Sequence, residues 1–121
     1  MKSIAGLLTT AVYAQSTTLP DVNAADFVLN KYDNLIDHFN YQATETYQQR
    51  YWVNDVYWTD ESSPFFLYLC GEWVCEVPAS YPFMLGASYG AKLIVLEHRF
   101  YGESQPFTDW SEPNLRYLSS E

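Results

Sequence analysis

FFLYLC (residues 65–70) and LIVLE (residues 93–97) are two continuous apolar runs, and they decide the fold class of this chain. Strands that are covered on both faces have this continuous apolar pattern, which is typical of parallel sheets. Parallel neighbours need a crossover connection, usually a helix. The sequence therefore predicts an α/β fold in which these two strands are parallel and apolar on both faces, and we expect this chain to lack the later elements that would cover them.

The segment ASYPFMLGASYGA (79–91) lies between the two runs and is the predicted crossover helix. Pro82 suits a first helical turn. Gly90 can end the helix by adopting a left-handed conformation. Apolar side chains recur every four residues on one face, at Phe83, Ala87 and Ala91. The predicted unit is strand, helix, strand.

The upstream segments are shorter and more polar. TYQQRYWVN (46–54) alternates with period two and predicts a strand near the sheet edge. NLIDHFN (34–40) predicts a short strand, and DESSP (60–64) predicts a turn. AADFVLNKY (24–32) is consistent with a short helix.

Composition narrows the classes of protein that this chain can represent. Hydrophobic residues make up 48% of the chain and aromatic residues 18%, which argues against a disordered tail. The 6 basic and 15 acidic residues give a net charge of −9, which disfavours nucleic-acid binding.

The first residues are typical of a targeting segment. Residues 1–14 combine Lys2, a short apolar run and a small-residue cleavage pattern, so we predict a signal peptide there, and a frayed N-terminus or a buried helix is the alternative. That run is too short to span a bilayer. Residues 15–33 are interpreted as a lead-in to a mature chain outside the cytosol, and no membrane span is expected.

Cys70 and Cys75 are the two cysteines, and in an exported protein a disulfide that closes a small loop is expected. The alternative is a zinc site completed by His38 and His98, but the spacing fits no familiar zinc pattern. No metal and no cofactor are therefore expected. If 34–40 is a strand, Asp37 and His38 point to opposite faces and make a poor acid–base pair.

Residues 86–90 match G-x-S-x-G, the pattern that presents a nucleophilic serine at a sharp turn from strand to helix. Here the order is reversed, because the predicted helix precedes Ser88 and a strand follows it. The histidine after Ser88 is His98, directly after Glu97, and one strand cannot bring these three groups into a triad. We therefore predict that Ser88 is not a nucleophile.

A series of motifs in fixed order carries a resemblance: DHFN, YQQRYWVN, LIVLEHRFYGES and LRYLSS. The series resembles the serine peptidase family of lysosomal Pro-X carboxypeptidase, dipeptidyl peptidase II and thymus-specific serine protease, from about Asp37 to the last residue. The resemblance implies an α/β-hydrolase fold with a helical cap inserted later. It also implies a secreted or lysosomal peptidase that cleaves peptides beside proline as a carboxypeptidase or dipeptidyl-peptidase, with a homodimer possible in the full-length family.

In that family the nucleophile sits in a Gly-x-Ser-Tyr-x-Gly motif beyond LRYLSS, and the catalytic Asp and His follow later. The resemblance therefore implies that residues 34–121 are the N-terminal portion of the peptidase domain. The expected structure is an incomplete α/β-hydrolase fold, with the N-terminal strands and first crossover helix, inactive alone because the triad is lacking. Two alternatives are a non-catalytic secreted aromatic-rich binding module and a fragment that never folds.

The resemblance also suggests candidate site residues. The loop after the third strand supplies an oxyanion N–H in this fold, which assigns Gly71, Glu72 and Trp73 as candidates. Relatives tend to have Gly-Gly-Glu-Gly there, so Trp73 departs from the pattern, and a tight turn with no catalytic role is an equal alternative.

Further candidates follow the LIVLE strand, at the end where α/β sheets bind ligands. We expect Glu97 or Glu103 to form an ion pair with Arg99 that braces the loop, and direct substrate contact is the alternative. Tyr101 could line an apolar pocket for proline or belong to the core.

Overall fold

The computed structural model describes residues 18–77 and 80–119. The predicted signal peptide lies outside these residues, as does the start of the predicted lead-in. Four strands and two short helices are present, with bounds β1 Val28–Leu35, β2 Thr46–Asn54, β3 Phe65–Leu69, α1 Tyr81–Ser88, β4 Lys92–Leu96 and α2 Glu112–Leu115. Single 3₁₀ turns lie at Ala24–Asp26 and Arg116–Leu118. Within the described ranges, neither α-helix has the length or apolar content to cross a bilayer.

The four strands form one mixed sheet in the order β1-β2-β4-β3. β3 and β4 are parallel, with Phe66 opposite Leu93, whereas β2 is antiparallel to both β1 and β4. The α/β class and the parallel pairing of the two apolar runs are confirmed. Because β1, β3 and β4 run in the same direction, their carboxyl ends lie at one edge of the sheet.

Helix α1 connects β3 to β4, as predicted, and covers one face of both. Pro82 occupies its first turn, and Gly90 adopts the left-handed conformation with φ of 65° just beyond its end. A Cβ atom on Gly86 would lie 2.7 Å from Leu93 Cδ2, so glycine lets the helix approach the sheet closely. The buried core under α1 includes Val22, Phe27, Phe83, Ala87, Ala91, Leu93 and Val95.

Two predictions for the N-terminal part are wrong. The strand predicted at 34–40 lies earlier, at β1, and the helix predicted over 24–32 is one 3₁₀ turn that leads into that strand. β1 pairs with β2 along its whole length, and this pairing outweighs the local preference. β1 ends where Asp37 Oδ1 accepts the backbone N–H groups of Phe39 and Asn40, at 2.9 and 3.1 Å, which turns the chain.

The predicted place of β2 within the sheet is also wrong, whereas the expected exposure of an apolar strand is found at β3. β2 was expected near an edge, but it lies between β1 and β4. In the described sheet β3 is an edge strand, and it is covered on one face only. Phe66 and Tyr68 pack against the core, whereas Phe65, Leu67 and Leu69 are 59–64% exposed. Coverage of β3 on both faces is therefore not found among the described residues.

Candidate active-site edge

The candidate site lies at the sheet edge formed by the carboxyl ends of β1, β3 and β4, where open α/β sheets bind ligands. The segment that follows β3 begins the connection to α1, and the segment that follows β4 forms a tight loop over 97–104. Both segments contain residues that the sequence assigned to the site.

A disulfide joins Cys70 to Cys75, as predicted. Cys70 N–H also donates to the Leu96 carbonyl oxygen at 2.9 Å, which ties the start of this loop to the end of β4. Because both sulfurs are in the disulfide, the zinc interpretation with His38 and His98 is wrong. Across the described ranges, no group of three or more His, Cys, Asp or Glu side chains could hold a metal ion.

Glu97, the residue after β4, is fully buried and is the centre of a hydrogen-bond network. Its carboxylate accepts from Arg50 Nε at 2.8 Å and from Arg50 Nη2 at 2.6 Å. Ser104 donates to it through both Oγ (2.7 Å) and N–H (3.1 Å), and Cys75 N–H lies at 3.3 Å. One carboxylate thus links β2, the disulfide loop and the loop after β4.

The network keeps Glu97 ionised. Burial acts to raise the pKa of Glu97, but the hydrogen bonds from Arg50 and Ser104 outweigh it and hold that pKa below its ordinary range. The hydrogen bond to Glu97 in turn raises the pKa of Arg50. A buried carboxylate with this many donors holds structure in place and is not a proton donor at neutral pH.

The predicted ion pair with Arg99 is wrong, because Arg50 is the cation that both glutamates bind. Arg50 Nη1 lies 3.1 Å from Glu103 Oε1, in addition to its two contacts with Glu97. The strand register explains the choice: Tyr51 pairs with Leu96, so Arg50 lies opposite the residue that follows β4. Sequence reasoning missed Arg50, since the pairing of β2 with β4 is not visible in the sequence.

Gly102 allows the loop after β4 to close directly over this ion pair. Its φ is 54°, which favours glycine. A Cβ atom there would lie 1.9 Å from Glu97 Oε1 and 2.8 Å from Arg50 Nη2. The glycine is therefore needed both for its backbone conformation and for the space it leaves.

The loop residues assigned as oxyanion candidates are Gly71, Glu72 and Trp73. The indole of Trp73 lies over Gly71, since a Cβ atom on Gly71 would come within 2.1 Å of the ring. Trp73 N–H donates to the Gly71 carbonyl oxygen at 2.9 Å. Among the described residues, no hydrogen bond engages the backbone N–H of Gly71 or of Glu72. Of the three candidates, Gly71 and Glu72 therefore have backbone N–H groups without a partner among the described residues.

Arg99 and Tyr101 also lie at this edge. Arg99 Nη2 donates to the Ile36 carbonyl oxygen at 2.6 Å, and its guanidinium lies 5.5 Å from the centre of the Tyr47 ring. Tyr101 packs edge-on against His98, with ring centres 5.3 Å apart. A cavity of about 190 Å³ separates Arg99 from the disulfide loop, and its lining includes Leu69, Cys70, Leu96, Glu97 and His98.

Ser88 is remote from this edge. It is the last residue of α1, which leads to the amino end of β4, so it lies toward the opposite edge of the sheet. Its hydroxyl is exposed and donates to the Leu85 carbonyl oxygen at 2.7 Å. In the part of the chain that the structure describes, no hydrogen bond joins Ser88 to a histidine. That Ser88 is not a nucleophile stays a prediction.

Comparison with known proteins identifies the family of this chain. The family model described as Serine carboxypeptidase S28 matches residues 34–121. A putative serine protease of Caenorhabditis elegans is 40% identical over 109 residues, which cover 82% of this chain and 20% of that protein. The thymus-specific serine protease of Homo sapiens is 42% identical over 91 residues, covering 73% of this chain and 18% of that protein.

A third relative, the lysosomal Pro-X carboxypeptidase of Homo sapiens, is 33% identical over 107 residues, covering 85% of this chain and 21% of that protein. The chain thus spans about a fifth of the length of these curated relatives. The family match covers most of the chain and includes β2, β3, α1, β4 and both loops of the candidate site. This chain belongs to the serine carboxypeptidase S28 family.

Proposed function

We propose that this chain is the N-terminal portion of a serine-type exopeptidase that hydrolyses peptide bonds next to proline. Family membership supports the peptidase class, and the name of the lysosomal Pro-X carboxypeptidase supports proline specificity and a lysosomal or secreted location. The predicted signal peptide at 1–14 is consistent with export. In this proposal residues 34–121 are part of the peptidase domain, the substrate is a peptide, and the complete enzyme is able to form a homodimer.

The observation that carries the proposal is the position of the Cys70–Cys75 loop. It connects β3 to the first crossover helix, at the carboxyl edge of the parallel strands. In α/β-hydrolases the corresponding loop supplies one backbone N–H of the oxyanion hole. Among the described residues, the N–H groups of the candidates Gly71 and Glu72 have no hydrogen-bond partner, whereas Trp73 N–H is already bonded to the Gly71 carbonyl oxygen.

The mechanism follows from these donors. A serine attacks the peptide carbonyl, a histidine takes its proton, and the carbonyl oxygen becomes an oxyanion. Gly71 or Glu72 N–H then donates to that oxyanion, in a geometry held by the disulfide and by the bond from Cys75 N–H to Glu97. Neither the serine nor the histidine of this step is assigned to a residue of this chain.

The test starts from the coding sequence. We expect an in-frame Gly-x-Ser-Tyr-x-Gly downstream of the Glu121 codon, and we expect the protein that includes it to hydrolyse proline-containing peptides and to react with a fluorophosphonate. In that protein, loss of one oxyanion donor typically costs about 10²–10³ in kcat. We therefore expect Gly71→Pro or Glu72→Pro, each of which removes one N–H, to lower kcat much more than Gly71→Ala, the matched control that brings a Cβ atom against the Trp73 ring but keeps the N–H.

The alternative is a non-catalytic exported binding module. Trp73 and Trp110, each about 60% exposed, favour it. A sharp two-state melt of the 121-residue chain as a monomer, with no downstream serine motif, would support this alternative and refute the peptidase proposal.

A further inference from the structure

A second cavity, of about 350 Å³, lies at the same carboxyl edge of the sheet. It is lined by the residues that follow β1, by the segment 116–119 and by Arg99 in the loop after β4. Its lining includes Ile36, Asp37, His38, Arg99, Arg116 and Tyr117. Arg99 also lines the smaller cavity beside the disulfide loop, so the two cavities share this side chain as a lining residue.

This cavity has an unusual share of the chain's positive charge. The chain has three arginines among 6 basic residues, against 15 acidic residues, and two of the three line the cavity. Across 18–77 and 80–119, every ion pair formed by an arginine belongs to Arg50, and neither Arg99 nor Arg116 is paired with a carboxylate. The hydrogen bond that Arg116 Nη2 donates to the Tyr117 hydroxyl raises the pKa of Arg116, and the negative charge of Asp37 contributes to this rise. Two arginines that line one cavity without a carboxylate at ion-pair distance, in so acidic a chain, indicate an anion site.

Arg99 is held in place for such a ligand. Its bond to the Ile36 carbonyl oxygen and its contacts with the rings of Tyr47 and Phe100, at 5.5 and 5.8 Å, restrict its motion. Its Nε is buried and has no hydrogen-bond partner among the described residues. A buried donor without a partner is costly, and a bound acceptor would remove that cost.

The charges around the cavity favour a monoanion. Asp37 also lines it, but its Oδ1 already accepts two backbone N–H groups. Two guanidiniums and one carboxylate among the lining side chains leave a net positive charge of one. A planar carboxylate balances this charge and matches the fork of donors on an arginine, whereas a phosphate dianion would leave one negative charge without a compensating cation.

We propose that this cavity binds the free α-carboxylate of a peptide, with Arg99 as the principal donor and Arg116 as a second cation. The identity of the ligand as a peptide rests on the proposed function, and the binding of a carboxylate does not. The site would hold the carboxyl end of a substrate in the cavity next to the one beside the disulfide loop, since Arg99 lines both. It therefore favours carboxypeptidase over dipeptidyl-peptidase action.

The proposal can be tested on the 121-residue chain without turnover. The Nε–H groups of the three arginines are followed by NMR while N-acetyl-alanine, N-acetyl-alaninamide, N-acetyl-glutamic α-amide or inorganic phosphate is added. N-acetyl-alanine should shift the Arg99 signal saturably and leave the paired Arg50 signal unchanged. The amide, which lacks a carboxylate, should have no effect, and phosphate and the side-chain carboxylate should bind more weakly.

Variants separate binding from folding. Arg99→Gln should weaken N-acetyl-alanine binding about tenfold or more, which is the loss of one charged hydrogen bond. Arg116→Gln changes an exposed side chain, so it should weaken binding several-fold without disturbing the near-UV circular dichroism. Lys92→Gln, outside the cavity, is the control and should bind normally.

Equal binding of the acid and the amide, no saturable shift of Arg99, or stronger binding of phosphate or of the side-chain carboxylate would overturn the proposal. The proposed function fails separately. Selective carboxylate binding with no peptidase activity of the longer protein would refute the function alone. Peptidase activity whose KM is unchanged by Arg99→Gln and Arg116→Gln would refute this site alone.

Discussion

Arg50 and Glu97 form a two-point ion pair across β2 and the end of β4, with Nε–Oε2 at 2.8 Å and Nη2–Oε1 at 2.6 Å. The backbones of the same two residues are also bonded, since Glu97 N–H donates to the Arg50 carbonyl oxygen at 3.1 Å. The pair therefore holds the loop after β4, and through Cys75 N–H the disulfide loop, in fixed positions relative to the sheet.

Arg50→Ala should be the most damaging single truncation at this edge. It leaves a buried carboxylate without its cation, and breaking one side of a buried pair typically costs about 3–5 kcal/mol. Lys31→Ala is the matched control, because the Lys31–Glu103 pair is largely exposed and such pairs are worth at most about 1 kcal/mol. The rate of limited proteolysis compares the two variants, and equal rates would contradict the role given to Arg50.

Acidification should destabilise the chain partly through Glu97. Because the pKa of Glu97 is lowered on folding, its stabilising contribution is complete above the ordinary glutamate pKa of about 4.3 and is lost as the pH falls through the lowered value. Glu97→Gln should therefore flatten the fall of the urea midpoint below about pH 4. Asp60→Asn, at an exposed turn, should change that profile less; an identical profile for Glu97→Gln and the parent chain would refute the assignment.

Comparing Gly102→Ala with Gly90→Ala separates the cost of backbone strain from the cost of a steric clash with the buried ion pair. Both glycines have positive φ, so alanine is strained at either position by about 1 kcal/mol or more. At Gly102 the new Cβ also meets the buried Glu97 carboxylate, whereas at Gly90 it meets the side chain of Thr59 at 2.9 Å. Thermal melting should show the greater loss for Gly102→Ala. A larger loss at Gly90 would mean that the loop moves freely away from the ion pair.

The two faces of the apolar strands should respond differently to truncation. Leu93→Ala empties a fully buried position under α1 and should cost about 2–5 kcal/mol. Leu67→Ala changes a side chain that is 59% exposed, so it should cost much less and should reduce self-association at the exposed β3 edge. Light scattering and urea unfolding measure both effects. We expect the parent chain itself to be weakly stable, because β3 leaves apolar side chains in solvent.

Ser88 should be chemically inert. Its hydroxyl is bonded to the Leu85 carbonyl oxygen at the end of α1, away from the carboxyl edge of the sheet. A fluorophosphonate probe should not label the purified chain, and Ser88→Ala should behave like the parent chain. Covalent labelling that disappears in Ser88→Ala would show that the serine is a nucleophile.

The sequence by itself determined the α/β class, the β3-α1-β4 unit and the disulfide. These features follow from patterns among residues that are close in the sequence. The patterns are the continuous apolar runs, the four-residue repeat of apolar side chains and two cysteines five positions apart. The motif series was likewise sufficient to identify the family. Each of these signals can be read without knowing which distant segments meet.

Only the tertiary structure decided the strand order and the partner of Glu97. From the sequence, Arg99 is the nearer cation, two residues from Glu97, and Arg50 lies 47 positions away. The antiparallel register of β2 with β4 brings Arg50 opposite Glu97, while Arg99 turns toward Ile36 at the end of β1. Charge pairing in a folded chain follows which strands are neighbours, and that depends on long-range packing that no local pattern in the sequence encodes.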